Sequence, residues 1–184
     1  MLRCVLPVLA FMLVGCASDA QLFTAPAPDV TERVSVRFGS IEIREVTLPS
    51  YAAADEITRQ DANGVLQSST DVLWADAPER AIALELARNL SKLSGARVAS
   101  NPWPFEAFPD ARLDIRFEEL LADASGVYRA TGQFFVAVED GRERAGLFDM
   151  SRPIDPAAGL NTLAATRKLL ILDVAEFIAR NGLG

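Results

Sequence analysis

The sequence predicts an α+β fold: a mostly antiparallel sheet with two main helices packed on one face. Three observations carry this. Leu113, Ile115 and Phe117 alternate with Arg112, Asp114, Arg116 and Glu118, the period-two pattern of a half-buried strand. Turn signals at Ser125-Gly126 and at Glu139-Asp140-Gly141-Arg142 fold three strands into a meander, because glycine accepts the positive φ of tight hairpins. Apolar residues at three- and four-residue steps mark one helix before the meander and one after it.

The chain opens with an export signal. Residues 1–15 hold Arg3 and then an apolar run from position 5 to 14, interrupted by Pro7. A basic start, about ten apolar residues and a small residue before the cut make a signal peptide. The run is too short for a bilayer, which needs roughly 20 residues. Leu13-Val14-Gly15-Cys16 resembles the bacterial lipobox, where the cysteine sulfur is diacylglycerylated and the peptide is cut before it. Cys16 is therefore the expected lipid anchor, with palmitate-type chains each adding about 0.8 kcal/mol per buried methylene. Ala17 follows the cysteine in place of Asp. By resemblance to sorted lipoproteins, that places the protein on the outer membrane, facing the periplasm.

Residues 16–33 carry Pro26 and Pro28 with few large apolar groups and read as a lipidated tether; Leu22 and Phe23 either belong to it or begin a first strand. Residues 34–184 read as a single globular domain. Val34, Val36 and Phe38, then Ile41 and Ile43, alternate with polar residues as strand. Leu48-Pro49 ends it. Ile57-Thr58-Arg59 and Val65-Leu66-Gln67 flank an Asn63-Gly64 turn, the mark of a small hairpin. A helix is expected next, with Asp71 as N-cap, Trp74 in its opening turn and Ser94-Gly95 as its end. Arg97-Val98-Ala99 is a short strand entering the irregular Asn101-Pro102-Trp103-Pro104. Val127 to Val138 is a long strand with Gly132 as a bulge, and a third strand returns over residues 142–150. Arg152-Pro153 and Asp155-Pro156 break the chain before a last helix over residues 160–180, striped by Leu163, Leu170, Val174, Phe177 and Ile178.

Composition narrows the chemistry. Half the residues are apolar and 23% are charged, which fits a packed domain and not a disordered chain. The net charge is -7, and loss of Arg3 with the leader makes the remainder more acidic, so nucleic acid is not an expected partner. The chain has no histidine, which removes Ser-His-Asp triads, Cys-His dyads and His-ligated metals. Cys4 leaves with the leader, so the mature chain retains Cys16 alone and forms no internal disulfide.

No catalytic set stands out, and no cofactor or metal site is expected. Asp114 and Glu118 share a strand face. They suit carboxylate hydrolysis, but an alternating strand puts such acids on its solvent side beside Arg112 and Arg116. Trp103, between two prolines and followed by Phe105 and Phe108, either plugs the end of the sheet or docks a partner or touches lipid. Gln133-Phe134-Phe135-Val136 puts apolar groups on both faces of its strand, which implies cover on both sides. A carrier with its own apolar cavity between sheet and helices is a further possibility.

Several motifs stand together in order: Leu48-Pro49-x-Tyr51, Ile57-Thr58-Arg59, Leu73-Trp74-Ala75, Leu86-Ala87-x-Asn89-Leu90 and Val98-x-x-x-Pro102-Trp103. Their order resembles the PqiC-type (also YmbA-type) ABC transport auxiliary lipoproteins across most of the domain. The resemblance implies a non-enzymatic outer-membrane lipoprotein of an MCE-type lipid transport system, docking the periplasm-spanning MCE protein. It implies a homo-oligomeric ring as an option. It also marks Pro49, Tyr51, Arg59 and Trp103 as candidate partner contacts, with Trp74 at another characteristic position. The usual Tyr-Tyr-x-Leu-like opening strand is replaced by Leu22-Phe23 and a proline-rich run.

Overall fold

The computed structural model describes residues 20–184, apart from positions 140, 142, 156 and 158. The leader and Cys16 lie outside the described residues. In chain order the elements are β1 (Gln21–Phe23), β2 (Ser40–Thr47), α1 (Ser50–Ala53), β3 (Arg59–Gln60), β4 (Leu66–Gln67), β5 (Val72–Trp74), α2 (Pro78–Ser94), β6 (Arg97–Ser100), β7 (Ala111–Ala122), β8 (Val127–Val138), β9 (Arg144–Pro153) and α3 (Leu160–Asn181).

The fold is α+β, as expected. Its main sheet is mixed: β7, β8 and β9 form the antiparallel meander, while β2 runs parallel to both β6 and β7. The parallel pairs follow from connectivity. Each joins strands separated by a long excursion, and β2 returns to β6 through α2, as a parallel crossover requires. The β3–β4 hairpin turns at Gly64 with φ 82° and attaches to the far end of β7 through Arg59 opposite Ala122.

Both long helices contribute to one core. Ile82, Leu86, Leu90 and Leu93 of α2 and Leu163, Leu170, Ile171, Val174 and Ile178 of α3 are buried in it. They join Ile41, Ile43, Leu113, Ile115 and Phe134 from the sheet. The space between helices and sheet is thus filled by side chains.

Three local expectations are corrected. Asp71 does not cap a helix. Val72-Leu73-Trp74 instead forms β5, parallel to β1 in the register Phe23 to Trp74. This pairing overrides the helical periodicity, and the helix starts where Pro78 occupies its first position, with fixed φ and no donor to lose. The same pairing makes Leu22 and Phe23 a strand. Val34, Val36 and Phe38 alternate in burial without joining the sheet. Val34 N–H donates to Leu93 O (2.9 Å) and Arg37 N–H to Leu183 O (2.9 Å), so this stretch runs along the ends of α2 and α3. Gly132 lies opposite a bulge and is not itself one: the register slips between Phe117 and Glu119, making Glu118 the extra residue of β7.

Candidate functional site

Tyr51 and Arg59 both reach the Leu120–Ala122 end of β7, Tyr51 by bonding Leu120 and Arg59 by pairing with Ala122. Pro49 is the N-cap of α1, which follows directly from β2. The Tyr51 hydroxyl accepts Leu120 N–H at 3.4 Å, and its carbonyl accepts the Thr58 hydroxyl at 3.3 Å. Burial pushes the Tyr51 phenol above its ordinary range. Tyr51, Thr58, Trp74, Leu120, Tyr128 and Arg167 close around a space of only about 10 Å³. Trp74, expected in a helix turn, reaches this position from β5 and is 9% exposed.

Behind Trp74 lies an ion cluster that belongs to none of the sequence motifs. Glu85 of α2 faces Arg167 and Lys168 of α3. Lys168 Nζ donates to Glu85 Oε1 at 2.8 Å, and Arg167 Nη2 stands 3.5 Å from the same oxygen. The Arg167 guanidinium stacks over the Trp74 ring, 3.9 Å from its centroid, a cation–π geometry. Glu85 and Arg167 are both 6% exposed. The cluster had a sequence signal: Glu85 falls on the Ile82–Leu86–Asn89 stripe and Arg167 on the Leu163–Leu170 stripe. A charge on each apolar helix face points to an ion pair between the helices.

Tyr128 borders this cluster, fully buried, and burial pushes its phenol from 10.0 up to about 12. The folded chain therefore holds a proton that the unfolded chain releases first. Stability from this group is complete below about pH 10 and is lost as pH climbs toward about 12. Tyr128→Phe is expected to flatten that part of a pH–stability curve measured by urea denaturation between about pH 9 and 12.

Among the described residues, neither long helix lies on the opposite face of the sheet. Here β2 and β7 form a charge ladder: Arg112 Nε lies 3.3 Å from Glu42, and Arg44 Nε donates to Asp114 at 2.8 Å. The β2–β7 register slips here, from Ile43 opposite Leu113 to Glu45 opposite Asp114, which makes Arg44 the extra residue of β2. Glu118 instead accepts Gln133 Nε2 at 2.5 Å. The two carboxylates share this face but hold different partners, Arg44 of β2 for Asp114 and Gln133 of β8 for Glu118. Phe135 is covered by Arg116, whose guanidinium carbon lies 5.0 Å from the ring centroid. Leu147 on β9 is 71% exposed.

Trp103 stands apart from the Pro49 corner. Its loop leads to Ala111, at the opposite end of β7 from the Arg59–Ala122 pair. Trp103 Nε1 donates to Ala107 O at 2.7 Å, and its ring meets Phe105 edge-on at 4.9 Å. Arg97 covers Phe105 at 5.4 Å. Phe108 is 79% exposed, with Arg112 at 6.0 Å from its ring. Trp103 is half-buried in an aromatic loop and is not part of the main core. Among the described residues, no group of three or more His, Cys, Asp or Glu comes together as metal ligands.

Residues 21–179 match the profile of the family described as ABC-type transport auxiliary lipoprotein component. The chain belongs to this family. Two solved structures share the fold. One, an uncharacterised protein, aligns with a TM-score of 0.70 at 17% identity, covering 87% of this chain and 96% of its own. The other, protein XCC0632 from Xanthomonas campestris, aligns with a TM-score of 0.58 at 18% identity, covering 87% and 90%. A sequence comparison with curated proteins returns no match. Membership in the auxiliary lipoprotein component family is consistent with a non-enzymatic role in transport and with partner proteins of a transport system. The family profile begins at β1, so it includes part of the segment read as tether.

Proposed function

We propose that this auxiliary lipoprotein component is the outer-membrane docking subunit of an MCE-type intermembrane lipid transport system. Cys16 carries the lipid anchor, and the domain faces the periplasm. The observation that carries this reading is the family match across nearly the whole domain. The uncovered sheet face supports it: Leu147 and Phe108 expose large apolar surface beside an ordered charge ladder, a combination suited to a protein partner. We place the partner on this face and on the loop bearing Trp103, with the corner of Pro49, Tyr51 and Arg59 as a second contact. A homo-oligomeric ring would repeat the face around an axis.

A carrier with its own cavity is less well supported, because core side chains fill the space between sheet and helices. The test is co-purification of the full-length chain, tagged at its C-terminus, from membranes solubilised in mild detergent. An MCE-domain protein in stoichiometric amount is the expected result. Bound phospholipid with no envelope protein would favour the carrier instead.

A further inference from the structure

On the outer side of the ion cluster, a surface cleft of about 130 Å³ opens between β1, β5 and the two helices. Phe23, Trp74 and Leu84 form its apolar walls, and Arg88, Arg167 and Lys168 bring three cations to it. Two acids also line it. Asp76 is paired with Arg80, and Glu85 is shared by Lys168 and Arg167. Positive charge is therefore in excess at the cleft.

Arg167 is the residue that points to a ligand. Its guanidinium carries five donors. It is held by the Trp74 ring and by one long contact to Glu85. Its buried Nε makes no hydrogen bond among the described residues. A buried donor left without an acceptor costs about 1–3 kcal/mol, so a fold that keeps one beside an open cleft leaves room for an acceptor from outside. Guanidinium forks match phosphate and carboxylate oxygens.

We propose that this cleft binds an anionic group of the phosphate or carboxylate type, with Arg167, Lys168 and Arg88 as its cationic partners and Phe23 and Leu84 as apolar walls. The anion is either free or the head of an amphiphile whose chain lies on those walls. This site is on the helix side of the domain, and it does not depend on the docking face.

The test uses the purified full-length chain in detergent. Inorganic phosphate, a short-chain phosphatidic acid and a short-chain fatty acid are titrated separately by calorimetry. Arg88→Gln and Lys168→Gln are run beside the wild type, because Arg88 is exposed and Lys168 only part-buried, so both variants should fold. Saturable binding that weakens about tenfold or more in either variant, one lost charge-assisted contact at roughly 1.5–3 kcal/mol, supports the site. Binding of phosphate alone identifies a free anion. Binding of only the chain-bearing ligands identifies an amphiphile head. No binding of any of the three at millimolar concentration, or binding unchanged in both variants, overturns it. Neither result bears on whether an MCE partner docks elsewhere.

Discussion

Gly132→Ala is expected to destabilise the domain by at least about 3 kcal/mol, at the upper end of overpacking costs, and to lower Tm by roughly 6–12 °C for a domain of this size. A Cβ built on Gly132 would lie 2.2 Å from Arg116 O and 2.9 Å from Phe117 Cα, both backbone atoms of β7. Backbone paired on both sides in a central strand cannot retreat by an ångström. The third neighbour, Phe148 Cζ at 2.7 Å, is a ring tip and can move. The vacancy is used: Phe117 and Phe148, the cross-strand neighbours of Gly132, meet edge-on at 5.2 Å. Gly146→Ala is the matched comparison. The three atoms nearest its Cβ would all be ring carbons of Phe134, so a loss of about 1–2 kcal/mol is expected. Thermal denaturation of the two variants side by side checks the ranking. Equal losses would mean that β7 can yield at its bulge.

Glu85→Ala is expected to cost about 3–5 kcal/mol, because it strands Arg167 as a buried charge without its carboxylate. The comparison that isolates this cause is Asp76→Ala. Asp76 pairs with Arg80 in solvent, with side chains 43% and 66% exposed. Exposed pairs are worth about 0–1 kcal/mol, so little change is expected there. Replacing the whole set at once, Glu85→Leu with Arg167→Met and Lys168→Leu, should recover most of the stability lost by Glu85→Ala, since no charge is then buried alone. Urea denaturation gives all three values. A triple variant as unstable as Glu85→Ala would show that the loss comes from packing and not from charge.

Burial was more legible in the sequence than pairing. The alternation of residues 34–38 correctly marked Val34 as buried, yet its backbone bonds to the helix ends, because hydrogen-bond partners are chosen by the tertiary fold. Val72-Leu73-Trp74 fitted a helical stripe, but a parallel partner 51 residues earlier, Gln21 to Val72, drew it into a strand. No local pattern encodes such a partner. The meander was readable because its turns are short and glycine-bearing, whereas the parallel pairs of β2 join strands far apart in sequence. Asp114 and Glu118 share a face, as the alternation implies: Glu118 bonds Gln133, the partner of Arg116, and Arg116 stands two residues after Asp114. The alternation did not show the extra residue at Glu118, nor that Asp114 pairs toward β2 and Glu118 toward β8. The Glu85–Arg167–Lys168 cluster was visible as charges on apolar stripes, but their meeting depends on how the two helices pack.

Docking through the uncovered sheet face is tested most directly by quantitative co-purification of tagged full-length chains bearing Leu147→Glu or Phe108→Ser. Both side chains are more than 70% exposed, so the variants should fold and reach the membrane at normal levels. The expected result is an MCE-domain protein in stoichiometric amount with the wild type and a reduction of tenfold or more with either variant. Recovery of that protein undiminished by both substitutions, or no envelope protein recovered even with the wild type, would contradict it.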